Sequence, residues 1–392
     1  MKFCCYTFNN FIGVVVDLMD LFGTNIVTQL DSDCIVPDDS IYITSTFEYN
    51  TNTNAIQSII LKNKNLKILV DVSTEGNADI GDYEPILDFY KENSLDIKNL
   101  IFLTNNANVD GITKYNFKNY EFNLLHYPGF INMFLYPHLL SSEISKKIYD
   151  CFDKDVELEN RVYFEYDDVS IHNPSSDFLI LNRTLKDYKL KLLETAFKLN
   201  FFKNYKIRYT MWDISNVDLF QFDINFRKLI FNELGEFEPK VLPDETYNKE
   251  SMPHDSVSIK NIFDSKVHII CESTYNDDNM IHYDDTVHLS EKTWRCLCYG
   301  VPFVISSNKN CLKAIQNYGF KTFNSIIDES YDITVDSERM DKVLYAAKEL
   351  LEKSDDERVK SICQYNRKLY RNKKHKKKYL ENNFLNYLEI WK

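Results

Sequence analysis

Apolar residues in the first half of the chain gather in short runs separated by stretches of mixed pattern. The runs at 2–7, 40–44, 66–72 and 100–103 read as buried strands, and 82–93 shows helical spacing between the last two. Strand, helix, strand in that order predicts a parallel sheet, because parallel neighbours need a crossover long enough to hold a helix. Right-handed crossovers bring the carboxyl ends of such strands to one edge, where ligand sites form. The segment Lys67-Ile68-Leu69-Val70-Asp71-Val72-Ser73-Thr74-Glu75-Gly76 ends a buried strand and gathers Asp71, Glu75 and a glycine at that edge.

The stretch 141–174 is acidic and ends in the turn-rich Asn173-Pro174-Ser175-Ser176, after which the pattern restarts. Residues 178–181 predict a strand. Residues 187–199 predict a helix with Leu190, Leu193, Ala196 and Phe197 on one face. Further strands are expected at 205–211, at 267–273 with Glu272 near its end, and at 301–305. The region 215–255, with Pro239, Pro243 and Pro253, reads as an irregular insertion, and 275–285 as a polar loop. Helical spacing fills 337–351 and 355–391. A chain of 392 residues exceeds one compact core. The expected division is 1–165, 166–355 and a C-terminal helical segment at 356–392 that packs back on the first domain.

Composition narrows the function. A net charge of −13 argues against broad, sequence-independent coating of nucleic acid, which needs a cationic surface. One local exception is Arg371-Asn372-Lys373-Lys374-His375-Lys376-Lys377-Lys378. Its ordinary reading is a solvated helical face, and a phosphate or nucleic-acid contact is the other. The nine cysteines show neither C-x-x-C pairs nor zinc spacing with histidine, which points to buried, reduced thiols and an intracellular setting. The apolar stretch 11–22 holds Asp17 and Asp20 and falls short of a membrane span, and no cleavable leader is evident. No membrane insertion and a cytoplasmic location are therefore expected. The abundance of Asn, Lys, Ile and Tyr suits an AT-rich genome, so a virus in its host's cytoplasm fits. Oligomeric state is not legible.

The densest chemistry lies in His288-Leu289-Ser290-Glu291-Lys292-Thr293-Trp294-Arg295, followed by the apolar Val301-Pro302-Phe303-Val304-Ile305. Ser290 is placed as an N-cap and Glu291 in the first helical turn, where exposed backbone N–H groups favour negative charge. A diphosphate suits the same place. Lys292 supplies a point charge, and Arg295, three residues on, presents a planar fork from nearly the same face. Glu291 can accept hydrogen bonds from sugar hydroxyls. An ordinary solvated Glu–Lys pair is the competing reading.

These residues resemble the sugar-donor segment of glycosyltransferases built from two facing Rossmann-like domains, the GT-B architecture. The resemblance is to the α1,3-fucosyltransferases and related viral or phage proteins. Glu291 and Lys292 match the family's Glu-Lys pair, His288 takes the aromatic position before it, and 301–305 matches the strand behind it. Asn308, Lys309, Asn310 and the segment 318–323 are similar to the closing loop and helix. Phe178-Leu179-Ile180-Leu181-Asn182-Arg183 resembles the strand whose end carries a pyrophosphate-binding arginine. The resemblance covers roughly 175–340. It implies an α/β fold of two Rossmann-like domains facing across a cleft, with C-terminal helices. It also implies a nucleoside-diphosphate sugar as donor substrate, no cofactor, and an inverting reaction.

Transfer from such a donor needs stabilisation of the departing diphosphate, tolerance of positive charge on the ring, and removal of a proton from the acceptor hydroxyl. Lys292, Arg183 and Arg295 suit the first without a metal. Asp31-Ser32-Asp33 has the spelling of a metal motif but sits in a polar turn. Asn182, Glu272 and His288 complete the expected donor-binding set; each also has a packing role open to it. Glu75 is the first candidate base and Asp71 the second. Trp294 reads as core and Gly300 as the turn between helix and strand. Walker A, dinucleotide and serine-elbow motifs are absent, which disfavours ATPase, dehydrogenase and hydrolase activity. The acceptor stays open among a glycan, a protein and a modified DNA base. A non-catalytic protein that binds a nucleotide sugar or a glycan is the alternative from another class.

Overall fold

The computed structural model describes residues 1–6, 13–30, 35–37, 39–72, 80–117, 120–128, 174–184, 186–213, 221–228, 262–272, 286–334 and 336–391. The chain forms two compact units. One comprises Met1–Glu165 with Asn372–Lys392, and the other Tyr166–Arg371.

The first unit is built on strands β1 (Lys2–Cys5), β2 (Val27–Gln29), β3 (Ser40–Ser45), β4 (Lys67–Asp71), β5 (Leu100–Thr104), β6 (Ile112–Phe117) and β7 (Tyr120–His126). Their order is β2-β1-β3-β4-β5-β7-β6. Every pairing is parallel except β6 with β7. The central strands are apolar without alternation: Ile41, Tyr42 and Ile43 are all buried, as are Ile68, Leu69 and Val70. A sheet covered on both faces demands this. The edge hairpin differs: Thr113, Lys114, Tyr115 and Asn116 of β6 are all exposed while β7 mixes open and buried positions, and its antiparallel pairing departs from the all-parallel expectation. Helices α1 (Gly13–Phe22), α2 (Thr46–Thr51), α3 (Thr53–Lys62) and α4 (Ile80–Glu92) form the crossovers. Ser45 caps α2 by accepting from the Glu48 amide at 3.0 Å.

Among the described residues the second unit has four parallel strands, β8 (Ser176–Thr184), β9 (Ile207–Asp213), β10 (Ser265–Cys271) and β11 (Phe303–Ser306), in the order β11-β10-β8-β9. Its helices are α5 (Asp187–Lys198), α6 (Phe201–Asn204), α7 (Glu291–Tyr299), α8 (Cys311–Asn317), α9 (Asp336–Glu352) and α10 (Glu357–Tyr370). Helix α9 packs on β10, β11 and α5, while α7 packs on β10 and α10. From β8 the chain moves to β9 on one side and then to β10 on the other. The winding therefore reverses between β8 and β10, which is where a sheet of this kind opens a crevice at its carboxyl edge.

The chain ends in α11 (Lys373–Leu380), a π-helical turn (Glu381–Leu385) and α12 (Asn386–Trp391). These belong to the first unit, whereas α10 belongs to the second, so the division falls after Arg371 rather than before residue 356. Phe384 packs edge-on against Tyr127 at 5.3 Å, and the Trp391 indole donates to the Lys98 carbonyl at 2.8 Å. Among the described residues no helix is long and apolar enough to cross a membrane.

Candidate functional site

The register of β8 on β10 pairs Ile180 with Ile269. Two residues further, Asn182 lies beside Cys271, where its side chain favours the thiolate against the larger, opposing effect of burial. Glu272 follows at the carboxyl edge of the sheet, fully buried. Its carboxylate Oε1 accepts from the Ser290 amide at 3.0 Å and from the Thr293 hydroxyl. Its amide donates to the Ser306 carbonyl at 3.1 Å, and its carbonyl accepts from the Tyr188 hydroxyl. One buried residue thus ties together α5, β11 and the start of α7.

Ser290 caps α7 as its sequence position predicts: its hydroxyl accepts from the Lys292 amide and from Lys292 Nζ, both at 3.3 Å. The Lys292 ammonium is therefore held over the positive end of the helix dipole, an arrangement suited to an anion. Arg295 shares the Lys292 face but is 7 % exposed. Both line a small void of about 10 Å³ against Leu179, His268, Ile269, Ile270 and Cys296. His288 is buried two residues before the Ser290 cap. Trp294 belongs to the core, edge-on to Tyr318 at 5.3 Å, with its indole donating to the Leu289 carbonyl at 3.0 Å. Gly300 ends α7 at φ +66°, and a Cβ there would lie 2.6 Å from the Cys363 carbonyl of α10.

Sequence reasoning passed over Lys189. It sits in the first turn of α5, only 4 % exposed. Burial lowers its pKa from 10.5 to about 8, and repulsion from Lys292 and Lys186 acts in the same direction, against attraction from Cys271 and Glu272. Two lysines from separate helices thus share one electrostatic environment beside Glu272. The signal available in the sequence is the recurrence of lysine in Arg183-Thr184-Leu185-Lys186-Asp187-Tyr188-Lys189, at a strand-to-helix turn.

The main chain of Arg183 lies in β8 and that of Glu291 opens α7, while both side chains fall outside the described residues. Glu75, the turn at Asp31-Ser32-Asp33, the loop 275–285 and most of 215–255 also fall outside them. Asp71 is buried in the first unit, where its Oδ2 accepts from the Val14 amide at 3.3 Å in the first turn of α1. Among the described residues no three His, Cys, Asp or Glu side chains are grouped to hold a metal ion.

No family model matches the chain, and no curated protein sequence matches it. Solved structures do. An apo structure of OtsA is 11 % identical, with a TM-score of 0.35 over 84 % of this chain and 70 % of that one. A trehalose-6-phosphate structure from E. coli, bound with UDP-2-fluoro glucose, is 12 % identical, with a TM-score of 0.40 over 96 % and 83 %. A structure of trehalose-6-phosphate synthase from work on glycosyltransfer with retention is 13 % identical, with a TM-score of 0.36 over 92 % and 81 %. Likeness at this level assigns neither family nor activity.

Proposed function

We propose that this chain is a glycosyltransferase that moves a sugar from a nucleoside-diphosphate donor to a hydroxyl of a glycan, a protein or a modified DNA base. The observation that carries the reading is the Lys292 ammonium held by Ser290 at the Glu272-anchored, capped end of α7, with the buried Lys189 near enough to feel its charge. Two ammonium groups and a helix N-terminus at the β8–β10 crevice suit two linked phosphoryl groups. They stabilise most strongly the charge that builds as the diphosphate departs.

In this proposal Lys292 and Lys189 neutralise the diphosphate without a metal, with Arg183 and Arg295 as further cations. Glu291 and His288 face sugar or ribose, and Asn182 and Glu272 hold the crevice in shape. Glu75 serves as the base in a single inverting displacement, because the Asp71 carboxylate is engaged with the start of α1. Retention of anomeric configuration in the product would remove Glu75 from that role.

Thermal-shift screening against UDP-, GDP-, dTDP- and CMP-sugars tests the donor, since a ligand bound only to the folded state raises the melting temperature. We expect one nucleotide class to stabilise the protein and to be hydrolysed slowly, with both effects lost in Lys292→Ala. Stabilisation without turnover across broad acceptor pools would mark a sugar-nucleotide binder instead. No stabilisation by any of the four classes would overturn the proposal.

A further inference from the structure

Five lysines in or beside helices of the second unit stand with an acid one turn away: Lys198 with Glu194, Lys342 with Glu338, Lys348 with Glu352, Lys353 with Glu349 and Lys360 with Glu357. Helix α11 has no such match within itself. It contains no acid, and the exposed Lys373, Lys374, Lys377 and Lys378 stand as like-charged pairs at i and i+4. Two of them occupy the first turn, where the helix dipole disfavours cations. The last 21 residues carry six lysines against two glutamates, in a chain with 46 basic and 59 acidic residues.

The helix forms despite these costs because its other face is anchored. Lys376, Leu380, Phe384 and Leu388, each four residues apart, are all buried on the first unit. Positions two residues off that stripe point away from it. They are Lys374, Lys378, Asn382, Asn386 and Ile390, every one exposed. Lys377 adds its ammonium 4.9 Å from the Phe22 ring. The result is a fixed ridge of cations followed by amides.

We propose that this ridge docks the phosphate backbone of a duplex nucleic acid. Lysine ammonium and asparagine amide groups are the side chains that contact phosphate and sugar oxygens. A membrane-surface helix would instead turn an apolar face outward, and here the apolar stripe is consumed by the unit's own core, with Ile390 alone on the outer line. The inference stands apart from the sugar-donor site. Where both hold, the acceptor hydroxyl belongs to a nucleic acid.

The test is fluorescence anisotropy of the full chain with a labelled 20-base-pair DNA duplex and its RNA counterpart, without nucleotide sugar. Four lysine contacts at ~0.9 per phosphate give a slope near −3.6 in log K against log salt, roughly a 10²-fold loss between 50 and 200 mM. Lys374→Gln with Lys378→Gln should flatten the slope by about two and leave the melting temperature and the nucleotide-sugar thermal shift unchanged; the corresponding arginine pair should keep it. Binding of either duplex with these slopes supports the proposal. Failure of both duplexes to bind at 50 mM, or a slope unmoved by the glutamine pair, overturns it. So does capture by phosphatidylserine vesicles, sensitive to the glutamine pair, while neither duplex binds.

Discussion

Glu272 and Ser290, eighteen residues apart in sequence, are joined by a 3.0 Å hydrogen bond from the Ser290 amide to the Glu272 carboxylate. The bond fixes the residue that caps α7 against the end of β10. Ser290 in turn holds Lys292 at the helix terminus. The position of the proposed phosphate-binding cation is thus set by a buried acid that need not touch the ligand itself.

Removing that acid should cost both stability and sugar-nucleotide affinity. Glu272→Ala leaves the Ser290 amide and the Thr293 hydroxyl without their buried acceptor. At about 1–3 kcal/mol for each of the two stranded groups, the expected loss is about 2–6 kcal/mol in urea unfolding. Glu272→Gln keeps one acceptor oxygen and should lose less than half as much. Equal losses in the two variants would mean that the carboxylate's charge, not its acceptor role, holds α7.

Lys189 makes the crevice sensitive to pH. Its folded pKa of about 8 lies below the ordinary 10.5, so the unfolded chain holds more protons between those values. Stability of the ligand-free protein should therefore rise as pH climbs from about 8 to 10.5, and Lys189→Met should abolish that rise. Affinity for a nucleoside diphosphate should move the other way, falling as pH passes through 8 and the ammonium is lost. Lys189→Arg, which keeps its charge, should bind equally at pH 7 and 9. Calorimetric titration at the two pH values would read both effects, and a wild-type affinity that is flat with pH would exclude Lys189 from the site.

Gly300 allows α7 to end in a left-handed residue directly beneath α10. Ala at this position meets the Cys363 carbonyl at 2.6 Å and Arg367 Cβ at 3.0 Å, on a backbone with φ of +66°. Neither neighbour is the free end of a flexible chain. Gly300→Ala should lose at least about 2 kcal/mol in chemical unfolding, from strain and steric overlap together. A near-neutral result would require α10 to shift away from α7.

How much of this was legible follows from the range of the interactions. The apolar runs of β1, β3, β4, β5, β8, β10 and β11 declare themselves because each is buried on both faces and needs no partner to be noticed. The Ser290 cap and the Gly300 turn are local and equally plain. Lys189 is invisible until α5 folds down beside Glu272, because its meaning comes from burial and from Lys292, 103 residues away. Asp71 reads as a base at a strand end, yet its contact with Val14 spans 57 residues and ties it to α1. The β6–β7 hairpin escapes notice because its Lys114, Asn116, Glu121 and Asn123 give a mixed edge pattern.

The terminal helices owe their place to Phe384. Its side chain is fully buried and meets Tyr127, the residue just beyond β7, edge-on at 5.3 Å. Phe384→Ala removes that contact and opens a cavity, with an expected cost of about 3–5 kcal/mol. The lost packing is confined to the seam between the terminal helices and the first sheet, so the π-helical turn and α12 should open first. Limited proteolysis should then cut faster within 372–391 than elsewhere, while nucleotide-sugar stabilisation of the second unit persists. Phe384→Leu retains most of the apolar volume and should cleave at nearly the wild-type rate. Unchanged cleavage in Phe384→Ala would show that the Trp391 bond to Lys98 and the Tyr387 bond to Asp110 hold the segment without it.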